Sequence, residues 1–401
     1  MSKRNFKFHM SIQTVNQHWD IFCAVVDNYG DIGVTWRLAR QLAEEYQLDI
    51  NLWVDDLNSF SHILPALTPD KRSQTFNRVT IHQWNVPLEI NFVPGAVLIE
   101  AFGCELPEQV KSQLIAQQQN PGDTPPLWLN LEYLSAENWV EGCHGLPSMQ
   151  ASGIKKYFYF PGFTPRTGGL ICEKSLLEQR TAWQSAPENK LALFTQLGLT
   201  GIDVQDKVFS VFSYEAEALA ALCQLWQGAD QKIHALIPKG RSLNSLTHLL
   251  PCSVAELAPG QQIVIGNLNL HILPMTDQPS FDRLLWSCDF NIVRGEDSFL
   301  RAQWAAKPFI WHIYPQEDDY HLVKLEAFIN LYCDNLAPEI ARCWTELNLA
   351  FNQDQQSAVT LHWQNLDSVN LPLLQHAQKW PIYALNDADL ATRLVQFVKN
   401  S

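Results

Sequence analysis

The chain predicts an α/β fold in which two Rossmann-like units face each other across a cleft. Three observations carry that prediction. Short apolar runs alternate with amphipathic helical patterns, the pattern of parallel sheets covered by helices on both faces. The alternation breaks off in a polar stretch near the middle of the chain and then starts again. At 401 residues the chain is also longer than one core comfortably organises, so two domains are the natural division.

The first unit opens with WDIFCAVVDNYGDIGVTWRLARQLAEEY, residues 19–46. An apolar strand (21–26) runs into a tight polar turn (27–33) and then an amphipathic helix. On that helix Trp36, Leu38, Ala39, Leu42 and Ala43 share one stripe, while Arg37, Arg40, Glu44 and Glu45 lie away from it. Further strands are expected at 50–55, 79–84, 96–102, 127–132 and 156–160, with a helix at 106–118. The turn-rich segment GFTPRTGGLI (162–171) reads as an ordered loop leaving this sheet.

Residues 184–206 hold few long apolar runs and are expected to form the linker. The second unit then alternates strands at 208–213, 232–238, 268–274, 289–293 and 309–312 with helices at 215–226, 280–287, 299–306 and 318–332. An amphipathic segment at 387–400 is positioned to pack back across the first unit. The expected division is therefore a loosely ordered leader at 1–18, a first domain at 19–183, a linker at 184–206, a second domain at 207–380 and a C-terminal helix at 381–401.

Composition excludes several classes. A formal net charge of −14 argues against a nucleic-acid-binding surface, which must neutralise phosphates. Nine cysteines form no C-x-x-C pair and leave an odd count, so they read as reduced thiols of a cytoplasmic protein. The leader lacks an apolar core and is not a secretory signal. No apolar run approaches the roughly 20 residues of a membrane span. None of the twelve histidines forms an H-x-x-x-H pair and no D-x-D motif appears where a metal would hold a diphosphate, so no metal is expected.

Chemistry is expected where strands end, because ligands of open α/β sheets bind outside the carboxyl ends of the strands. The first turn carries Asp27 and Asp31, with Asn28 and Tyr29 beside them and Gly30 and Gly33 permitting close backbone approach. Two acids in one turn suit a cationic or hydroxylic acceptor; helix capping or an Asx-turn is the competing explanation. In the second unit a strand ends in Arg294-Gly295-Glu296-Asp297-Ser298 and a helix follows at once. Ser298 or Asp297 can cap that helix, and its N-terminus is a ready anion site for a diphosphate. Arg294 and Tyr314 can add donors. Glu296 and Asp297 conflict with an anion unless Glu296 turns to ribose hydroxyls while Asp297 and Ser298 offer backbone N–H groups. Phe212, Tyr214 and Phe281 lie where aromatic faces could hold a base, although such positions are more often core. Two Rossmann-like units without G-x-G-x-x-G disfavour a dinucleotide dehydrogenase and fit, by analogy of fold, the GT-B glycosyltransferase architecture.

Three long stretches sharpen this: WDIFCAVVDNYGDIGVTWRLARQLA, GFTPRTGGL, and RGEDSFLRAQWAAKPFIWHIYPQEDDYHLVKLEAF. Together they closely resemble the EarP family, bacterial protein-arginine rhamnosyltransferases that modify elongation factor P. The resemblance runs from about Trp19 to the C-terminal helix. It implies a metal-independent, inverting GT-B enzyme that moves L-rhamnose from dTDP-β-L-rhamnose to an arginine of elongation factor P, with no cofactor. The modified factor then supports translation through proline stretches. It also implies that Asp27 and Asp31 are catalytic, with Asp31 the general base. Donor contacts would fall on Phe212, Tyr214, Gln278, Phe281, Arg294, Glu296, Asp297, Ser298 and Tyr314. Met275 stands where the resemblance leads one to expect a further stacking phenylalanine; its thioether can still pack on a ring face. Another GT-B transferase or a nucleotide-sugar epimerase is the nearest alternative, and a non-catalytic module that binds elongation factor P is the alternative from a different class.

Overall fold

The computed structural model describes residues 18–26, 29–85, 92–119, 125–150 and 153–401. The leader expected at 1–18 lies outside them except for His18.

The first half forms an eight-stranded sheet ordered β3-β4-β2-β1-β5-β6-β8-β7. Its strands are β1 (Trp19–Cys23), β2 (Ile50–Val54), β3 (Ser73–Phe76), β4 (Val79–Gln83), β5 (Val97–Ala101), β6 (Leu127–Leu131), β7 (Pro147–Met149) and β8 (Lys155–Tyr159), with helices α1 (Gly30–Tyr46), α2 (Leu57–Ser61), α3 (Glu108–Gln119) and α4 (Val140–Cys143) between them. All six expected strands are present. They pair in parallel, whereas β3 and β7 add antiparallel edges. The sequence reading missed both edges: SQTF and PSM are short and never become buried, so they lack the apolar run that marks a strand.

The second half forms a six-stranded sheet ordered β11-β12-β10-β9-β13-β14. It comprises β9 (Lys207–Val211), β10 (Ile233–Pro238), β11 (Gln262–Ile265), β12 (Leu268–Leu273), β13 (Phe290–Arg294) and β14 (Phe309–His312). The helices are α7 (Glu217–Gln227), α8 (Arg241–Asn244), α9 (Gln278–Ser287), α10 (Asp297–Trp304), α11 (Tyr320–Cys333), α12 (Pro338–Asn352), α13 (Gln356–Leu385) and α14 (Leu390–Asn400), preceded by α5 (Leu176–Gln184) and α6 (Pro187–Gln196) in the segment between the sheets. Again the parallel core carries one antiparallel edge, β11.

The stretch expected as a linker is largely structured. α6 covers 187–196, and Leu193, Phe194 and Leu199 bury against Val208, Leu236 and Leu284 of the second half. Three apolar anchors are enough to dock a polar helix, although they do not show as a long apolar run. The helices α12 and α13 were not anticipated. They pack on each other and α13 packs on α7, with Trp344 Nε1 donating to the Phe309 carbonyl (2.9 Å) and Trp380 Nε1 to Gln303 (2.8 Å). Pro372 and Pro381 inside α13 obscured its helical pattern.

α14 does return to the first half. Phe397 meets Tyr157 and Tyr159 edge-on, Thr392 bonds Tyr46 at 2.6 Å, and Arg393 donates to the carbonyls of Thr164 and Thr167. One apolar cluster therefore runs through both halves of the molecule.

Each sheet starts at its centre and winds outward in both directions. In the first, β1 lies between β2 and β5; in the second, β9 lies between β10 and β13. The chain reverses its winding beside β1 and beside β9. Those are the points at which an open α/β sheet leaves a crevice at its carboxyl edge.

Candidate active site

The residues leaving β1, β9 and β13 converge at these two crevices. Asp27 and Asn28 lie outside the described residues. Asp31 sits in the first turn of α1, 3% exposed. Its Oδ2 accepts the Val26 backbone N–H at 2.9 Å, and its Oδ1 accepts the Tyr133 hydroxyl at 3.1 Å. It does not cap the helix: Tyr29 holds the N-cap position and makes no side-chain capping bond.

On the opposite side β13 ends at Arg294, and Gly295 turns the chain with φ 62°, a left-handed conformation that strains any residue with a Cβ. α10 then begins. Neither Ser298 nor Asp297 caps it, a correction to the sequence reading. The Ser298 hydroxyl donates back to the Arg294 carbonyl and accepts the Arg294 N–H (3.2 Å), which closes the turn. Asp297 is taken by a cation from the first half, leaving the N-cap to Glu296 without a side-chain bond.

That cation is Arg37. Its guanidinium bonds Asp282 of α9 through two nitrogens at 3.0 Å each and Asp297 through Nε at 2.6 Å. Arg301 grips the same Asp282 and also Glu173. Burial and the neighbouring Arg301 disfavour the Arg37 charge, but Asp282, Asp297 and Glu173 outweigh them and hold it above its ordinary value. Glu173 is likewise disfavoured by burial, yet Arg301 and Arg37 hold it down at about 2. Arg37, expected on the outer face of its helix, is thus 1% exposed. That face is turned to the second half and not to solvent. Contact here is close: a Cβ on Gly33 would stand 3.3 Å from Asp297.

Two pockets result. The first is lined by Tyr29, Gly30 and Gly33 from the first half and by Phe212, Met275, Gln278, Phe281, Arg294, Asp297 and Ser298 from the second, with Leu236, Leu273 and Leu284 as apolar walls. Arg294 lies 4.6 Å from the Phe212 ring and 4.8 Å from that of Tyr214, in cation–π contact with both. The pocket therefore offers an apolar wall, a stacked cation and the N-terminus of α10.

The second pocket is lined by Gly30, Asp31, Tyr133, Leu134, Gly295, Glu296, Trp311, Tyr314 and Lys324. Here Glu296 accepts the Leu134 N–H at 3.0 Å. Burial, opposed chiefly by Lys324, pushes its carboxyl up to about 7. Among the described residues no three His, Cys, Asp or Glu side chains gather as metal ligands.

The nine residues expected to contact a donor thus divide. Phe212, Gln278, Phe281, Arg294, Asp297 and Ser298 share the first pocket, while Glu296 and Tyr314 line the second with Asp31. Tyr214 is 2% exposed and lines neither; it sits behind Arg294, against His312 and Tyr314. Gln278 reaches its pocket while already engaged, donating to the Gly33 carbonyl (2.8 Å) and accepting from Arg40 (2.8 Å). The sequence reading missed Arg37, Asp282, Tyr133 and Lys324. Tyr133 could have been found, because it directly follows an expected strand at its carboxyl end.

Known proteins resemble the chain over nearly its whole length. A family model described as Elongation-Factor P (EF-P) rhamnosyltransferase EarP matches residues 19–399. A protein-arginine rhamnosyltransferase of Shewanella oneidensis is 71% identical, covering 98% of this chain and 100% of its own length. One of Pseudomonas aeruginosa is 44% identical over 94% of this chain and 98% of its own. A solved structure described as the structural basis for EarP-mediated arginine glycosylation of translation elongation factor EF-P is 34% identical, with TM-score 0.66, covering 96% of this chain and 99% of that one. The UDP-GlcNAc 2-epimerase of Neisseria meningitidis, 8% identical with TM-score 0.52 over 96% of this chain and 99% of its own, shares the fold alone. With two facing α/β sheets of GT-B architecture, and with family and relatives matched over nearly its whole length, the chain belongs to the elongation-factor-P rhamnosyltransferase (EarP) family of glycosyltransferases.

Proposed function

We propose that the protein transfers L-rhamnose from dTDP-β-L-rhamnose to an arginine side chain of elongation factor P, with inversion at the anomeric carbon. The observation that carries the reading is the adjacency of the two pockets. One suits a nucleoside diphosphate and the other holds a buried carboxylate, and both include Gly30 and Gly295.

In the donor pocket the apolar walls and Phe281 receive the base, and the diphosphate lies toward Arg294 and the start of α10. The conflict posed by two carboxylates beside an anion is relieved in two ways. Asp297 is neutralised by Arg37, and Glu296 is turned away to the Leu134 N–H.

The acceptor guanidinium is planar, cationic and a poor nucleophile, with a pKa above roughly 12. Asp31 accepts a hydrogen bond from its reacting nitrogen and takes the proton as the new bond forms. The nitrogen attacks the anomeric carbon from the face opposite the diphosphate. As the C–N bond forms, the C–O bond to the β-phosphate breaks and its electron pair leaves with the phosphate. Arg294 and the helix N-terminus stabilise the charge that develops there. Asp27, from the same turn, is proposed as the partner that orients the far guanidinium nitrogens. The step requires neither a covalent enzyme intermediate nor a metal.

Intact-mass spectrometry of elongation factor P incubated with this protein and dTDP-β-L-rhamnose tests the proposal. The expected result is a gain of one deoxyhexose, localised to an arginine. No gain while dTDP still binds would remove the acceptor assignment, and no binding at all would remove the donor site.

A further inference from the structure

The loop after β6 touches both Asp31 and Glu296. Tyr133 donates its hydroxyl to Asp31, stacks on Phe102 at 4.5 Å between centroids, and lies 5.5 Å from the Lys324 ammonium over its ring. The next residue, Leu134, donates its N–H to Glu296. One short loop of the first half thus holds Asp31 on one side and meets α10 and α11 of the second half on the other.

We propose that Tyr133 and Lys324 are positioning residues for the transfer, Tyr133 fixing one oxygen of Asp31 and Lys324 supplying the cation that faces Tyr133 and Glu296. This rests on the transfer reading above and deepens it.

The charges argue for the pair. Burial drives the Glu296 carboxyl toward the neutral form; Lys324 from α11 opposes it, while Asp31 from α1 and Asp297 from α10 add to it. The Lys324 ammonium is lowered below its ordinary value by burial, and Glu296, Glu137 and Glu132, which stand around it, oppose that shift. Burial, with Asp31 and Glu296 close by, pushes the Tyr133 phenol well up, so it stays protonated and acts toward Asp31 as a donor. A donor on a carboxylate favours the ionised form, the state a base must start from. It also fixes the direction of the oxygens, and a small error in that direction costs far more rate than affinity.

The test compares Tyr133→Phe, Lys324→Met and Lys324→Arg with the wild-type chain, scoring rhamnosyl transfer against pH and dTDP binding by titration. In Tyr133→Phe, kcat is expected to fall at least about tenfold, the worth of one hydrogen bond to a charged group. The acid limb of its profile should move up by about one unit, with dTDP affinity kept. Lys324→Met should move the same limb upward, and Lys324→Arg should restore it. An unchanged profile in both Tyr133→Phe and Lys324→Met, with wild-type transfer intact, overturns the positioning role alone. Equal losses in Lys324→Met and Lys324→Arg, or lost dTDP binding in Tyr133→Phe, would show a structural role and also overturn it. Absence of transfer by the wild-type chain would overturn the function and this inference together.

Discussion

Asp31 is held at both carboxylate oxygens, so removing its charge should separate chemistry from binding. In Asp31→Asn the side chain keeps its shape but cannot take a proton, and transfer is expected to fall about 10²- to 10⁴-fold. Affinity for dTDP should stay within about twofold, since Asp31 lines only the second pocket. Isothermal titration beside a turnover assay reads both; substantial turnover in this variant would remove Asp31 as the base. Arg294→Ala should show the reverse. Loss of a stacked cation beside a diphosphate is worth about 1.5–3 kcal/mol, or about ten- to a hundredfold in dTDP affinity. Asp31 and Arg294 could be picked out in the sequence because each follows an apolar run at a strand's carboxyl end. Asp297 was misjudged for a physical reason: its counter-charge is 260 positions away on α1, and no local pattern reveals that pairing.

Among the elements, α1 is the most informative. Its outer face carries charge, as on a solvated helix, yet Arg37 docks that face on α9 and α10. Arg37→Met leaves Asp282 and Asp297 short of a buried partner, which should cost about 3–5 kcal/mol in chemical denaturation. It should also weaken dTDP binding, because the Asp297 charge beside the diphosphate is no longer answered. Unaltered nucleotide affinity would separate this network from the donor site. A second element-level prediction concerns β10 and β12, where His234 Nδ1 and His271 Nε2 lie 2.8 Å apart and His234 also meets Asp206 at 3.0 Å. Burial pushes His271 down to about 4 and lowers His234 as well. Between pH ~6.5 and ~4 the unfolded chain binds protons that these folded imidazoles refuse, so this pair should cost stability as pH falls through that window. Urea midpoints at pH 7.5 and 5 check it, and the loss should shrink in His271→Gln. Strands buried on both faces were legible in the sequence. The edges β3 and β7 were not, because SQTF and PSM carry no apolar run; β11 was missed although QIVI is apolar, since it is only four residues long and half exposed, and the internal prolines of α13 hid its helical pattern.

At the scale of the whole molecule the contacts that join the halves include the charged contact of α1 with α9 and α10, the Tyr133–Leu134 loop against Lys324 and Glu296, and the return of α14 onto the first half. Truncation after Asn386 would strip Phe397 from Tyr157 and Tyr159 and Arg393 from the 162–171 loop. A lower melting temperature is expected, by about 2–3 °C for a loss of about 2 kcal/mol in a chain this long. Calorimetry of the truncated chain reads it, and an unshifted melting temperature would mean that α14 is only an ornament. The return of the C-terminus was legible because 387–400 is amphipathic with no partner nearby in sequence. The close seating of the two sheets was not, since it rests on charges drawn from four separate segments: Arg37, Glu173, Asp282, and Asp297 with Arg301. One consequence reaches beyond the protein itself. Because Gly30 and Gly295 border both cavities, a single compound carrying a thymidine diphosphate at one end and a guanidinium at the other needs only a short tether to fill both. Once one end is seated, the other is confined to an effective concentration of order millimolar, so the joined molecule should outbind either fragment by about 10²-fold or more.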